Sequence, residues 1–255
     1  MTYKILVIGA SGMLGSSIFR FLSQFSSYEV WGSVRSSDSS LLFPKAMRSR
    51  IVSGVDVESS DSLIGLFSSV KPTLVINCVG LVKQLKKKKN ALAAIPINSL
   101  LPHRLASMCE MVNARLIHFS TDCVFSGYRG MYTEGDIPDA QDMYGRSKLL
   151  GEVDYPHAIT LRTSIIGHEL SGARSLVGWF LSQQGAVKGY RRAIFSGLPT
   201  VEIARLIHNH VIPHPEISGL YHVSAEPINK FDLLEIVAKV YQKDIEILPD
   251  DHFLI

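Results

Sequence analysis

A doubly wound parallel α/β sheet followed by a smaller, substrate-facing C-terminal lobe is the fold class that the sequence predicts, on three observations. Short β-branched runs alternate with helical patterns over residues 1–125, the signature of strands covered on both faces by crossover helices. A glycine-rich turn from Gly9 to Gly15 joins the first of these runs to the first helical pattern. From about Gly167 onward the pattern breaks into shorter and less regular pieces.

Each element follows from its own local signal. Strands are expected at 4–8, 28–34, 50–55, 73–77 and 115–120, where β-branched and apolar residues run between polar or glycine-containing boundaries. Helices are expected at 13–24, at 60–70 behind a Ser-Ser-Asp cap, and at 91–112 with a kink at Pro96 or Pro102. A helix from Met143 to about Asp154 and a strand at 158–163 would complete the far side of the sheet. The remainder reads as a helix at 175–184, a strand pair within 186–195, a helix at 200–210, a strand at 219–223 and a helix at 230–242.

Composition narrows the classes of function. With 255 residues, 46% hydrophobic and 19% charged, the chain can bury one sizeable core and a small annex. A net charge of +3 and a pI near 8.7 give no concentrated positive field, so nucleic acid is not an expected partner. The four lysines at 86–89 read as a solvated helix start or loop. Cys78, Cys109 and Cys123 are an odd number without CxxC spacing, as free thiols in a reducing compartment are. Glycines and Arg20 interrupt the apolar N-terminal run, and nothing later approaches the ~18 apolar residues of a membrane span. The expectation is a cytoplasmic protein that contacts no membrane.

The turn Gly9-Ala10-Ser11-Gly12-Met13-Leu14-Gly15 stands between a strand and a helix, the context in which three glycines so spaced cradle a dinucleotide pyrophosphate. This is the Rossmann arrangement. Gly9 allows the tight turn, Gly12 lets backbone approach the phosphates, and Gly15 lets helix and strand pack closely. After the second strand stand Arg35 and Ser36, a cation and a hydroxyl suited to a 2′-phosphate where a carboxylate would suit a free 2′-hydroxyl. NADP(H) is therefore preferred to NAD(H). Asp56, with Val57 beside it, has the character to meet the adenine amino group.

Downstream, Tyr144-Gly145-Arg146-Ser147-Lys148 places a phenol and an ammonium one helical turn apart on the same face. A neighbouring ammonium would lower the phenol toward a useful acid-base range. Thr121, expected at the C-terminal end of the fifth strand, could hydrogen-bond a carbonyl oxygen that accepts hydride. Arg162, Arg174, Lys188, Arg191 and Arg192 are cations available for a substrate diphosphate. His118, His168 and His222 lack clustered metal-ligand spacing, and no metal is expected.

Together these residues resemble the extended short-chain dehydrogenase/reductase family, most closely its dTDP-4-dehydrorhamnose reductase branch. The resemblance covers most of the chain: Gly9, Gly12 and Gly15 match the glycine motif, Asn77-Cys78-Val79-Gly80 the motif after the fourth strand, and Ser120 to Gly127 the branch's Ser-Thr-Asp-Tyr-Val-Phe-Asp-Gly. Tyr144 to Glu152, Leu161 to Ser164 and Pro199-Thr200 follow in the expected order. The resemblance implies a catalytic set of Thr121, Tyr144 and Lys148, with Asn98 as a fourth member positioning Lys148 through water. It implies that Asn77, Cys78 and Val79 border the NADP(H) site together with Tyr144 and Lys148. By this reading residues 1–166 form mainly the NADP(H)-binding domain and 167–255 mainly a substrate-binding lobe, partly interwoven, in a chain that could pair as a homodimer.

The implied activity is NADPH-dependent reduction of a keto group, the 4-keto position first, on a nucleotide-diphosphate deoxysugar in polysaccharide or cell-surface sugar biosynthesis. Cys123 stands where the branch has tyrosine and where related dehydratases carry glutamate, and Ser126 replaces an aspartate. Dehydration is thereby disfavoured and the sugar contact differs. The chain ends at Ile255, sooner after Leu248-Pro249-Asp250 than the resemblance leads one to expect. Two alternatives remain: a nucleotide-sugar epimerase using the same Tyr-Lys pair, and a non-catalytic regulatory subunit resembling the β-subunit of methionine adenosyltransferase.

Overall fold

Residues 3–81 and 91–252 are described by the structure, a computed structural model of the chain. The first half contains β1 (Tyr3–Ile8), α1 (Met13–Leu22), β2 (Tyr28–Ser33), α2 (Ser37–Leu41), β3 (Ile51–Val52), α3 (Ser60–Val70) and β4 (Leu74–Asn77). Next, α4 (Ala91–Ala94) runs through a π turn (Ile95–Leu100) into α5 (Leu101–Met111), ahead of β5 (Arg115–Ser120), α6 (Met143–Leu149) and β6 (Ala158–Arg162). The lysine run at 86–89 lies outside the described residues.

The remainder comprises β7 (Ile165–Ile166), α7 (Leu176–Ser182), β8 (Ala186–Tyr190), β9 (Ile194–Phe195), β10 (Leu198–Pro199) and α8 (Thr200–Leu206). It closes with β11 (Gly219–His222), β12 (Ile228–Asn229), α9 (Lys230–Tyr241) and β13 (Glu246–Asp250).

Seven parallel strands form the main sheet in the order β11-β6-β5-β4-β1-β2-β3. This is a Rossmann-like doubly wound sheet, and its strand order reverses between β1 and β4, where open sheets of this kind leave a crevice. Alternation along each strand explains the two buried faces. Ile5, Val7, Leu74, Ile76, Ile117 and Phe119 join one core with α1 and α8, whereas Leu6, Ile8, Val75 and Leu116 join the other with α3 and α5.

Several expected elements change once packed. The strand at 50–55 shrinks to the two residues of β3, which pair only with Gly32 and Ser33 at the sheet edge behind a 3₁₀ turn. The helix expected to reach Asp154 stops at Leu149, because the chain turns at Gly151, where any Cβ would overlap the Asn98 carbonyl. The proline kink is a π turn containing Pro96, with Pro102 just after it, where the turn passes into α5 and a missing N–H disturbs the regular helical ladder.

The strand pair within 186–195 is not a pair. β8 runs parallel to β13, and β9 runs antiparallel to β12. β13 itself, containing Leu248-Pro249-Asp250, carries no strong strand pattern, being half exposed and holding a proline at the edge of its small sheet. Phe180, Val187, Leu234 and Val237 form the small core under it. By contrast β11 rejoins the main sheet beside β6, and α8 packs on α1, so the chain after residue 167 contributes to both units.

Candidate active site

The first part of the site is the turn after β1. Gly9 takes a positive φ of 80°, and Gly15 lies so close beneath it that a Cβ would overlap the Gly9 carbonyl. The Gly12 N–H donates to that carbonyl at 3.0 Å, and Gly12 opens α1 without any side-chain cap. First-turn N–H groups, together with the positive end of the helix, therefore face the crevice uncapped. Gly15→Ala should lower the melting temperature by an amount equivalent to about 1–3 kcal/mol and weaken dinucleotide binding together, because backbone has to move; thermal unfolding with and without NADPH reads both.

Other expected contacts group around this turn with differing roles. Ser11 and Met13 are half-buried, whereas Leu14 belongs to the core, so only its backbone is available. Arg35 and Ser36 are exposed just beyond β2, and the Ser36 hydroxyl caps α2 by accepting from the Ser39 N–H. Asp56 is exposed after β3, one carboxylate oxygen accepting from the Glu58 N–H at 2.9 Å, and Val57 packs against the second core. These groups and the uncapped helix suit the phosphates and adenine of a dinucleotide.

Asn77 has a different part from the one the resemblance implies. Its Oδ1 accepts from the Val79 N–H and its Nδ2 donates to His118 Nδ1, both at 3.1 Å, and the residue is 1% exposed. Its amide thus shapes the floor of the crevice rather than lining it. Cys78 and Val79 pass directly under Gly9, and burial pushes the Cys78 thiol well above its ordinary range, leaving it an inert apolar group.

Across the crevice, β5 ends at Ser120 and Thr121 caps a 3₁₀ turn, its hydroxyl accepting from the Cys123 N–H at 3.2 Å. Asp142 caps α6 through the Gly145 N–H, and Gly145 packs so closely that a Cβ would overlap the Cys123 carbonyl. That approach brings Tyr144 to Thr121. Burial pushes the Tyr144 phenol up to about 12, against a hydrogen bond with Thr121 that lowers it. Lys148, 5% exposed, donates to the Phe119 carbonyl at 2.6 Å; burial lowers it to about 8, and Glu152 raises it in opposition.

One expectation is corrected here. The Lys148 ammonium is committed to β5 backbone, and the phenol moves upward instead of toward neutrality, because burial outweighs the favourable contacts. Asn98 makes its direct bonds elsewhere: its Oδ1 accepts from the Leu81 N–H at 2.8 Å, and its Nδ2 donates to the Leu81 carbonyl and to Ser147 Oγ at 3.2 and 3.1 Å. It clamps the segment after β4 onto α6, next to Gly80, where an added Cβ would stand within 4 Å of both Asn98 Oδ1 and Lys148 Nζ.

Among the cations named for a diphosphate, Arg162 is buried and forked onto Glu152, and Lys188 pairs with Asp250 at 3.0 Å. Arg191 lies over the Phe231 ring. Arg174 and Arg192 are exposed. The sequence reading passed over Glu152, whose place one turn beyond Lys148 was the available signal. It also passed over Asp122, which accepts from the Thr121 and Ser164 hydroxyls at 3.1 and 2.6 Å.

The family model described as RmlD substrate binding domain matches residues 3–252. The chain belongs to this family. Among similar proteins, the probable low-salt glycan biosynthesis reductase Agl14 of Haloferax volcanii is 33% identical over 68% of this chain, which spans 57% of that relative's length. The dTDP-4-dehydrorhamnose reductase of Aggregatibacter actinomycetemcomitans is 26% identical over 96% of this chain and 82% of its own. A crystal structure of dTDP-4-dehydrorhamnose reductase from Bacillus anthracis in complex with NADP superposes with a TM-score of 0.78, covering 99% of this chain and 85% of that one at 20% identity. That likeness bears on the fold, and it places this RmlD-family chain among Rossmann-type sheets. Among the described residues no helix is long and apolar enough to cross a membrane.

Proposed function

We propose that this RmlD-family chain is an NADPH-dependent reductase acting on a keto group, the 4-keto group first, of a nucleotide-diphosphate deoxysugar. Tyr144 beside Thr121, with Lys148 one turn further along α6 and held to the Phe119 carbonyl, carries this reading. The reductase names of both relatives support it. Gly9, Gly12 and Gly15 with the N–H groups of α1 would hold the pyrophosphate, Arg35 and Ser36 the 2′-phosphate, and Asp56 and Val57 the adenine.

When bound, NADPH supplies the hydride. Thr121 orients the substrate oxygen, and Tyr144, a neutral phenol far below its pKa, gives that oxygen its proton. Lys148, an ammonium below about pH 8, stabilises the phenolate left behind. Work in the cytoplasm on precursors of surface polysaccharide fits this chemistry.

The test is NADPH consumption against a panel of keto-sugar nucleotides, with NADH in parallel. One NADPH consumed per sugar reduced, with NADPH preferred, is expected. Sugar turnover without net NADPH consumption would replace the reductase with an epimerase. Absence of any turnover, with a methionine adenosyltransferase co-purifying, would replace it with a regulatory subunit.

A further inference from the structure

Behind the catalytic shelf lies a buried polar network that the proposed chemistry does not use. Glu152 follows Lys148 by four residues, just past α6. Its carboxylate accepts three hydrogen bonds, from Ser120 Oγ at 2.6 Å, Arg162 Nε at 2.8 Å and Arg162 Nη2 at 2.7 Å. The two charged side chains are 9% and 5% exposed. Arg162 also stacks over Phe125 and approaches His222 Nε2 at 3.2 Å, while the His222 N–H donates to Glu134 at 2.8 Å. A buried ion pair returns little net stability, since desolvation offsets its attraction, so its position is the more informative property.

That position is specific. Ser120 stands between Phe119, whose carbonyl receives Lys148, and Thr121, which meets Tyr144. We propose that Glu152 is a positioning residue for this proton-transfer pair: held by Arg162, it clamps β5 at Ser120, between the carbonyl that holds Lys148 and the hydroxyl that meets Tyr144. The inference rests on the reductase reading for its catalytic consequence and on geometry alone for its structural one.

The other groups around Lys148 do not take this part. From β5, His118 is fully buried and held well below its ordinary range by burial and by Lys148 itself, so it is uncharged. On the same helix Tyr144 is a neutral phenol. From the 3₁₀ turn Asp122 acts on Tyr144 and is engaged by the Thr121 and Ser164 hydroxyls, and from the π turn Asn98 carries no charge.

Titration of Lys148 by NMR in the full chain, labelled with ¹³C-lysine and assigned by the resonance lost in Lys148→Met, tests the proposal. In Glu152→Gln the midpoint should fall by about one pH unit or more, because the attractive charge is removed and Arg162 remains. The double variant Glu152→Gln/Arg162→Met leaves no charge buried without a partner and should titrate between Glu152→Gln and the wild type. In the NADPH assay the alkaline limb should move the same way, with kcat lowered and the KM for NADPH retained. A Lys148 midpoint unchanged in whichever of these variants is folded overturns the proposal. A shifted midpoint in a protein whose wild type consumes no NADPH with any keto-sugar leaves Glu152 in place and removes the reductase reading.

Discussion

Replacing Tyr144 with phenylalanine is expected to lower NADPH-dependent turnover by about 10²-fold or more while leaving NADPH affinity unchanged. The phenol is the group beside Thr121, and at about 12 it holds its proton at any working pH. Phenylalanine keeps the ring that α6 packs and removes only the hydroxyl. The cradle proposed for the pyrophosphate is the turn after β1, at Gly9 and the start of α1, so binding has no reason to change. Stopped-flow turnover and fluorescence titration of NADPH measure the two separately. Retained turnover would exclude the phenol as proton donor.

Lys148→Met is expected to abolish useful turnover and yet stabilise the fold. Burial lowers Lys148 from 10.5 to about 8, a difference worth about 3 kcal/mol against the charged form in the folded state. The sign follows from proton counts: between about 8 and 10.5 the unfolded chain binds the proton and the folded chain does not, so wild-type stability rises with pH across that window. Below about pH 8 the full penalty is present. Methionine removes it but forfeits the bond to the Phe119 carbonyl, leaving an expected net gain of about 1–3 kcal/mol at neutral pH. Denaturant unfolding from pH 7 to pH 10 should show the variant ahead at pH 7 and the gap closing as pH rises. A variant less stable than wild type at pH 7 would mean that the Phe119 bond outweighs desolvation.

The same lysine sets the expected pH dependence of the reaction. Activity needs the ammonium, present below about pH 8, so turnover should fall as pH rises through that value. Tyr144 contributes no limb in this range.

Local patterns were sufficient for much of this molecule, and the reason is burial on both faces. A strand such as β1 or β4, with an unbroken apolar run (Ile5–Ile8, Leu74–Ile76) followed by glycine or asparagine, has one place to go, and the turn from Gly9 to Gly15 is legible because each glycine answers a steric demand within a few residues. Tyr144 and Lys148 were legible for the same reason, since a helix fixes the distance between positions four apart. The partners of Asn98 and Arg162, and those of β8, β9 and β13, were not.

Those depend on what comes from far along the chain. Asn98 is a clamp because Leu81 and Ser147 meet it across the π turn. Arg162, one of five cations available for a diphosphate, is half of a buried ion pair because Glu152 folds back beneath β5. β13 found β8 across more than fifty residues through the small core that α9 supplies. Residue type and spacing specify what a side chain can do within a turn or two of its neighbours; which partner it meets, and whether water is excluded when it does, is decided only when distant segments pack, since desolvation and pairing are properties of the assembled interior.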